Sequence, residues 1–254
     1  MFRWAALFLC VIFVLSFYSP GHAKHGPRGN EMDVPEWKFS GVWGMFDRQS
    51  AQRGYQVYRE VCSNCHSMKR IAFRNLKEIG FTDEEVKSIA SSYSINDGPD
   101  ESGNMFERPG IPSDYFPSPF PNKEAASAAN NGGYPQDLSL MVKARHKGAT
   151  YIYALLTGYK SAEADENGLY TNEAFPGNKI AMPPPISEGI VSYMDGTPPT
   201  VENIARDVVN FLQWAAEPEM EQRKRLGIKI ITSLIAGTLL VIIINTRLWN
   251  NLRK

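Results

Sequence analysis

Cysteine is scarce in this chain. Its 254 residues hold three, Cys10, Cys62 and Cys65, too few for a disulfide-stapled scaffold or a four-cysteine zinc site. Histidine stops at four, so a metal bound by imidazole has few ligands to choose from. An excess of either charge is also missing, with Lys+Arg and Asp+Glu at 27 each. That balance excludes a nucleic-acid binder, and a hydrophobic content of 43% excludes a disordered chain. No segment repeats.

What is present is one short run, Cys62-Ser63-Asn64-Cys65-His66. It reads as C-x-x-C-H, the attachment site of a c-type haem: two thiols form thioethers to the porphyrin and the adjacent imidazole reaches the iron. A lone redox C-x-x-C and half of a zinc site compete with this reading. Cys10, the other cysteine, falls in a segment expected to be removed, so no second thiol pair completes a zinc site. A single covalent haem c is expected.

Residues 1–23 carry Arg3, an apolar run from Trp4 to Phe17 and small residues before Ala23, the pattern of a cleaved signal peptide. A retained N-terminal anchor is the alternative, although the run is shorter than the roughly 20 residues a span needs. Residues 24–225 are then one exported domain with a sizeable core. His25 to Gly44, with Trp37, Phe39 and Trp43, reads as an extended arm. Ala51, Tyr55, Tyr58 and Val61 recur at helical steps and lead into Cys62; Gly54 on that helix would admit a close crossing, or is a tolerated weak point. Thr82 with Glu85 is a capping box opening a second helix. Asn96 to Glu107 reads as polar loop, and Pro109 to Pro135 as a segment too proline-rich for regular structure. Leu138 to Gly158 has helical spacing and carries Arg145-His146, and Thr200 caps an amphipathic helix that stops before Pro218.

Leu226 to Ile244 is almost uncharged and would extend roughly 28 Å as a helix, close to the hydrocarbon thickness of a bilayer. Lys229 can snorkel at one end, while Arg247, Trp249, Arg253 and Lys254 suit the other boundary. A transmembrane anchor over 226–246 with a short cytoplasmic tail, 247–254, is expected, placing residues 24–225 on the periplasmic side of a bacterial inner membrane.

The residues also carry a family resemblance. Arg53-Gly54-Tyr55-Gln56-Val57-Tyr58 before the C-x-x-C-H, Arg108-Pro109-Gly110, Ser113-Asp114-Tyr115-Phe116-Pro117, Ala128-Ala129-Asn130-Asn131-Gly132, Ala144-Arg145-His146, Leu155-Leu156-Thr157-Gly158-Tyr159, Ala181-Met182 and Trp214-Ala215-Ala216-Glu217-Pro218-Glu219 together closely resemble the cytochrome c1 family, haem subunits of the cytochrome bc1 complex. The resemblance implies a mainly α fold: a class I cytochrome c-like haem domain with long loop insertions plus one C-terminal transmembrane helix. It implies that Cys62 and Cys65 hold the haem and that His66 and Met182 are its axial ligands. It further implies that Arg145 meets a haem propionate with Tyr151 nearby, and that Asn130 and Pro135 wall the pocket. On this sequence His146 competes with Met182, and the position of Arg145 beside it on an expected helix argues against it. Pro183-Pro184-Pro185 directly after the methionine departs from the family pattern.

The function implied is electron relay without substrate chemistry of its own. The partners implied are a Rieske iron-sulfur protein as donor, a cytochrome c as acceptor, a cytochrome b subunit and membrane lipid. Asp97, Asp100, Glu101, Asp165 and Glu166 are candidates for an acidic docking face. Two alternatives keep the haem: a membrane-anchored c-type cytochrome of another chain, and a haem enzyme or gas sensor with an open iron site.

Overall fold

The computed structural model describes residues 34–253. The expected signal peptide, Cys10 and His25 lie outside the described residues. The rest is mostly helical. α1 spans Arg48–Glu60 and α2 spans Asp83–Ser91, separated by short 3₁₀ segments at Cys62–Asn64 and Phe73–Ile79. An antiparallel hairpin follows, β1 at Ser94–Asp97 and β2 at Phe106–Pro109. Then come α3 (Lys123–Ala129), α4 (Met141–Ala144), α5 (Ala149–Thr157), the two-residue strands β3 (Tyr170–Thr171) and β4 (Lys179–Ile180), α6 (Val201–Ala216) and α7 (Met220–Leu252).

The core is the crossing of α1 and α6. Ala51, Tyr55, Val57 and Tyr58 of α1 and Ile204, Val208, Phe211 and Ala215 of α6 are all buried, and the rings of Tyr55 and Tyr58 lie 5.7 and 5.6 Å from that of Phe211. At Gly54 an added Cβ would lie 2.0 Å from the Asp207 carbonyl oxygen, so the close approach of the two backbones requires glycine. Beside it Arg53 makes a two-point contact with Asp207 (2.7 and 3.0 Å), and Ser50 Oγ donates to the same carboxylate at 2.6 Å. Burial alone would make that carboxylate costly; the three donors around it offset the loss of water. Phe73, Phe116, Tyr58 and Phe211 extend the crossing into an aromatic cluster, with the rings of Phe73 and Phe116 4.6 Å apart.

Three expectations change. The polar stretch 96–107 forms the greater part of a hairpin, held by Arg108, whose guanidinium pairs with Asp97 and, at 2.7 Å, with Asp114. The proline-rich segment contains α3, which fits in the proline-free interval after Pro121 and is capped by Asn122 accepting from Ala125 N at 2.8 Å. The helix expected over 138–158 is broken, because Lys147 and Gly148 take φ of 65° and 52°, which an α-helix cannot contain. Arg145 and His146 therefore lie in a break and not on a helix.

α7 is long and apolar enough to cross a membrane: its 33 residues extend roughly 50 Å, and none of those from Leu226 to Ile244 is buried. An uncovered apolar helix of this length is what a bilayer accepts.

Candidate functional site

The last turn of α1 delivers the cysteines. Val61 closes the helix through its N–H to Val57 O, and the N–H groups of Cys65 and His66 both donate to Cys62 O, at 3.2 and 2.8 Å. The two intervening side chains turn back: Ser63 Oγ donates to Arg59 O at 2.7 Å and Asn64 Nδ2 to Glu60 O at 3.1 Å. They satisfy carbonyls at the helix end that would otherwise lack partners. Cys62 and Cys65 are left as free, half-buried thiols. Burial, with Cys65 alongside, pushes the Cys62 thiol up to about 12.

His66 is oriented by one bond. Its Nδ1 lies 2.7 Å from the Gln136 carbonyl oxygen, which accepts only, so Nδ1 carries the proton and Nε2 keeps its lone pair. Burial lowers the imidazole's proton affinity and so favours the neutral ring, against the smaller opposing effects of the Gln136 bond and Asp137. The chain after His66 is clipped to 137–139: Ser67 Oγ and Lys69 N donate to Asp137 Oδ2 at 2.8 and 2.9 Å, Leu138 N to Ser67 O at 2.8 Å, and Arg70 N to Ser139 Oγ at 3.1 Å. Burial of Asp137 acts against ionisation, yet hydrogen bonds from Ser139, Lys69 and Ser67 hold its carboxyl below the usual range. The imidazole is thus fixed by a backbone carbonyl whose own segment is tied down.

The same loop reaches the other candidate ligand. A Cβ at Gly133 would lie 3.4 Å from Ala181 Cβ, so the turn at 130–133 packs against the residue before Met182. Gly133 and Gln136 are separated by about 11 Å of chain at most. One loop therefore borders both the His66 and the Met182 segments. Met182 is half-buried, and its carbonyl accepts from the Tyr159 hydroxyl at 3.1 Å, which holds the proline-flanked loop to the end of α5.

The remaining sequence candidates sit as follows. Pro135 is half-buried next to Gln136. Asn130 is half-buried, but its amide donates to Ala126 O at 2.7 Å and so closes α3. Tyr151 is half-buried on α5 against the core. Arg145 and His146 are exposed; Arg145 bonds only the neighbouring Ala144 carbonyl, at 3.3 Å, and meets no carboxylate among the described residues. Asp97 and Asp165, counted in the acidic face, pair with Arg108 and Lys179 of this chain. Gln136 and Tyr159 act here without having been singled out. Gln136 works through its carbonyl, which no side-chain pattern reveals, whereas Tyr159 stood in a quoted motif.

Two free thiols, a neutral imidazole with one nitrogen unengaged, and a thioether beside the same loop form a donor set that fits a covalently attached haem.

Comparison with known proteins agrees with this chemistry. The profile of the Cytochrome C1 family matches residues 37–252. Cytochrome c1 of Rhodospirillum rubrum is 42% identical over 252 residues, covering 92% of this chain and 93% of that protein. A mitochondrial cytochrome c1 haem protein of Solanum tuberosum is 44% identical over 95% of this chain and 94% of its own length. That of Saccharomyces cerevisiae is 47% identical, over 91% of this chain and 74% of its own length.

Proposed function

As the chain belongs to the cytochrome c1 family, we propose that it is the haem-bearing electron relay of a bacterial cytochrome bc1 complex, taking single electrons from a Rieske iron-sulfur protein and passing them to a cytochrome c. When bound, the haem supplies a one-electron iron couple. Cys62 and Cys65 would hold it through thioethers, and His66 Nε2 and the Met182 thioether would ligate its iron. A thioether favours reduced iron and raises the potential relative to two histidines, which suits a late carrier in quinol oxidation. Arg145, which meets no carboxylate among the described residues, is available for a propionate. Tyr151, Asn130 and Pro135 complete the pocket wall.

The observation that carries this reading is the Nδ1–H bond from His66 to Gln136 O inside a C-x-x-C-H, because it holds the ring's proton on Nδ1 and leaves Nε2 available to a metal. The topology proposed with it is a signal peptide over 1–23, a periplasmic domain over 24–225, an anchor over 226–246 and a cytoplasmic tail over 247–254. A cytochrome b subunit and membrane lipid surround the anchor.

The test is Met182→Leu, with His146→Ala beside it. Met182→Leu should abolish the sulfur-to-iron charge-transfer band, lower the potential by on the order of a hundred millivolts and open the iron to carbon monoxide. Retention of band and potential in that variant, with their loss in His146→Ala, would identify His146 as the ligand instead.

A further inference from the structure

Before α1 the chain forms a closed loop. Met45 N donates to Lys38 O at 3.1 Å, Ser40 N to Trp37 O at 2.9 Å and Gly44 N to Gly41 O at 3.4 Å. Two glycines shape its tip: Gly41 takes φ +73°, and a Cβ at Gly44 would lie 2.1 Å from Ser40 O. The loop is firmly seated, since Phe39 and Phe46 are buried, Trp37 stacks on Phe39 at 5.3 Å and donates its indole N–H to Thr150 Oγ1 at 3.2 Å. Yet Val42, Trp43 and Met45 point outward, 63%, 78% and 54% exposed. Single exposed apolar side chains are ordinary, but three on one ordered tip form a patch.

The position of the patch identifies what it meets. Lys224 Nζ donates to Phe39 O at 2.7 Å and to Gly44 O at 3.0 Å, and Glu221 accepts from Phe46 N at 2.8 Å. Lys224 stands two residues before Leu226, roughly 3 Å along the helix axis. The tip is therefore level with the start of the uncovered apolar run. Around it Lys38, Arg223 and Arg225 each lie beside a carboxylate of this chain, Asp47, Glu217 and Glu221, yet expose 74%, 63% and 70% of their side chains, so their cationic ends still reach solvent. A tryptophan and smaller apolar groups within a ring of Lys and Arg is the composition of a membrane–water interface.

We propose that Val42, Trp43 and Met45 insert into the headgroup layer of the leaflet at which α7 enters, with Arg223 and Arg225 against lipid phosphates. This rests on the reading of α7 as the membrane anchor. The loop gives the domain a second membrane contact beside its helix, which limits its freedom to tilt and swivel about that helix.

The test uses the full-length protein, with its accompanying subunits, in vesicles of phosphatidylethanolamine and phosphatidylglycerol. Trp43, Met45 and, separately, Leu234 are replaced by the photo-crosslinker benzoylphenylalanine, and adducts are weighed by mass spectrometry. Phospholipid adducts at 43 and 45 as well as 234 are expected. Adducts at 234 alone overturn the proposal and leave the anchor intact. Adducts at none of the three overturn the anchor reading and the proposal with it. A protein adduct at 43 or 45 makes the patch a protein interface and likewise overturns it.

Discussion

Replacing Gly54 by Ala tests whether the α1–α6 crossing holds the domain together. In an isolated helix the change stabilises by about 1 kcal/mol, since Ala is the better helix former. Here the new methyl would lie 2.0 Å from the Asp207 carbonyl oxygen and 2.8 Å from Phe211 Cβ. Neither is the end of a flexible side chain, so the helices must move apart. Overpacking of this kind costs about 1–3 kcal/mol. Separation also stretches the contacts of Arg53 and Ser50 with Asp207, now 2.6–3.0 Å. Breaking a buried pair costs about 3–5 kcal/mol, but the Arg53 side chain is 21% exposed and partly rehydrates, which reduces that loss. A net destabilisation of about 3 kcal/mol follows, or about 6–12 °C in melting midpoint for a domain of this size. The assay is thermal loss of helical ellipticity in detergent-purified protein, with the haem spectrum followed in parallel. A midpoint equal to or above that of the unaltered chain would mean that helix propensity outweighs the clash and that the crossing is looser than described.

Asp137 should give the site an acid limit. Its carboxyl is depressed in the folded chain, so its contribution is complete above the ordinary carboxylate value of about 3.9 and is lost as pH falls through the lower folded value. The gap in melting midpoint between unaltered protein and Asp137→Asn should therefore narrow below about pH 4; a gap independent of pH would assign the loss to packing. Tyr159→Phe removes the hydroxyl that holds the Met182 carbonyl and should cost about 1 kcal/mol. Its sulfur-to-iron band should fade at a lower temperature than in unaltered protein while the haem stays attached, and an unchanged thermal profile of that band would refute the positioning role.

Local chemistry was legible in the sequence and long-range geometry was not. α1, α2 and α6 follow their patterns, and the capping box is formed as read: Glu85 N donates to Thr82 Oγ1 at 3.2 Å and Thr82 N to Glu85 Oε2 at 2.8 Å. α3 was hidden because prolines on both sides dominate the composition, although each acts only on its own turn. The break after α4 was hidden because Lys147 carries no sign of the positive φ it adopts. The hairpin was hidden because its strands are short and polar, and it depends on the Arg108 ion pairs more than on a buried face. At the site the thiols and imidazole were plain from spacing. Their orientation was not, since it comes from a carbonyl 70 residues away in sequence.

α1 also connects the C-x-x-C-H to the apolar helix α7. At its start Arg48 pairs with Glu221 at 2.9 Å, and Glu221 accepts from Phe46 N; at its other end the helix runs directly into Cys62. Thirteen residues of helix make a strut of about 20 Å between these points. Midway along it Gly54 and the Arg53–Asp207 contact lock it to α6, and only a short turn at Glu217–Glu219 separates α6 from α7. A lateral shift of α7 is therefore passed to α1 at two points and cannot be absorbed by a flexible linker. An electron relay needs its cofactor at a fixed distance from both partners, because tunnelling rates fall steeply with separation. If α7 is the anchor and the haem sits as proposed, a strut clamped to α7 would supply that at one end, and the 130–136 loop between the His66 and Met182 segments would supply it at the iron.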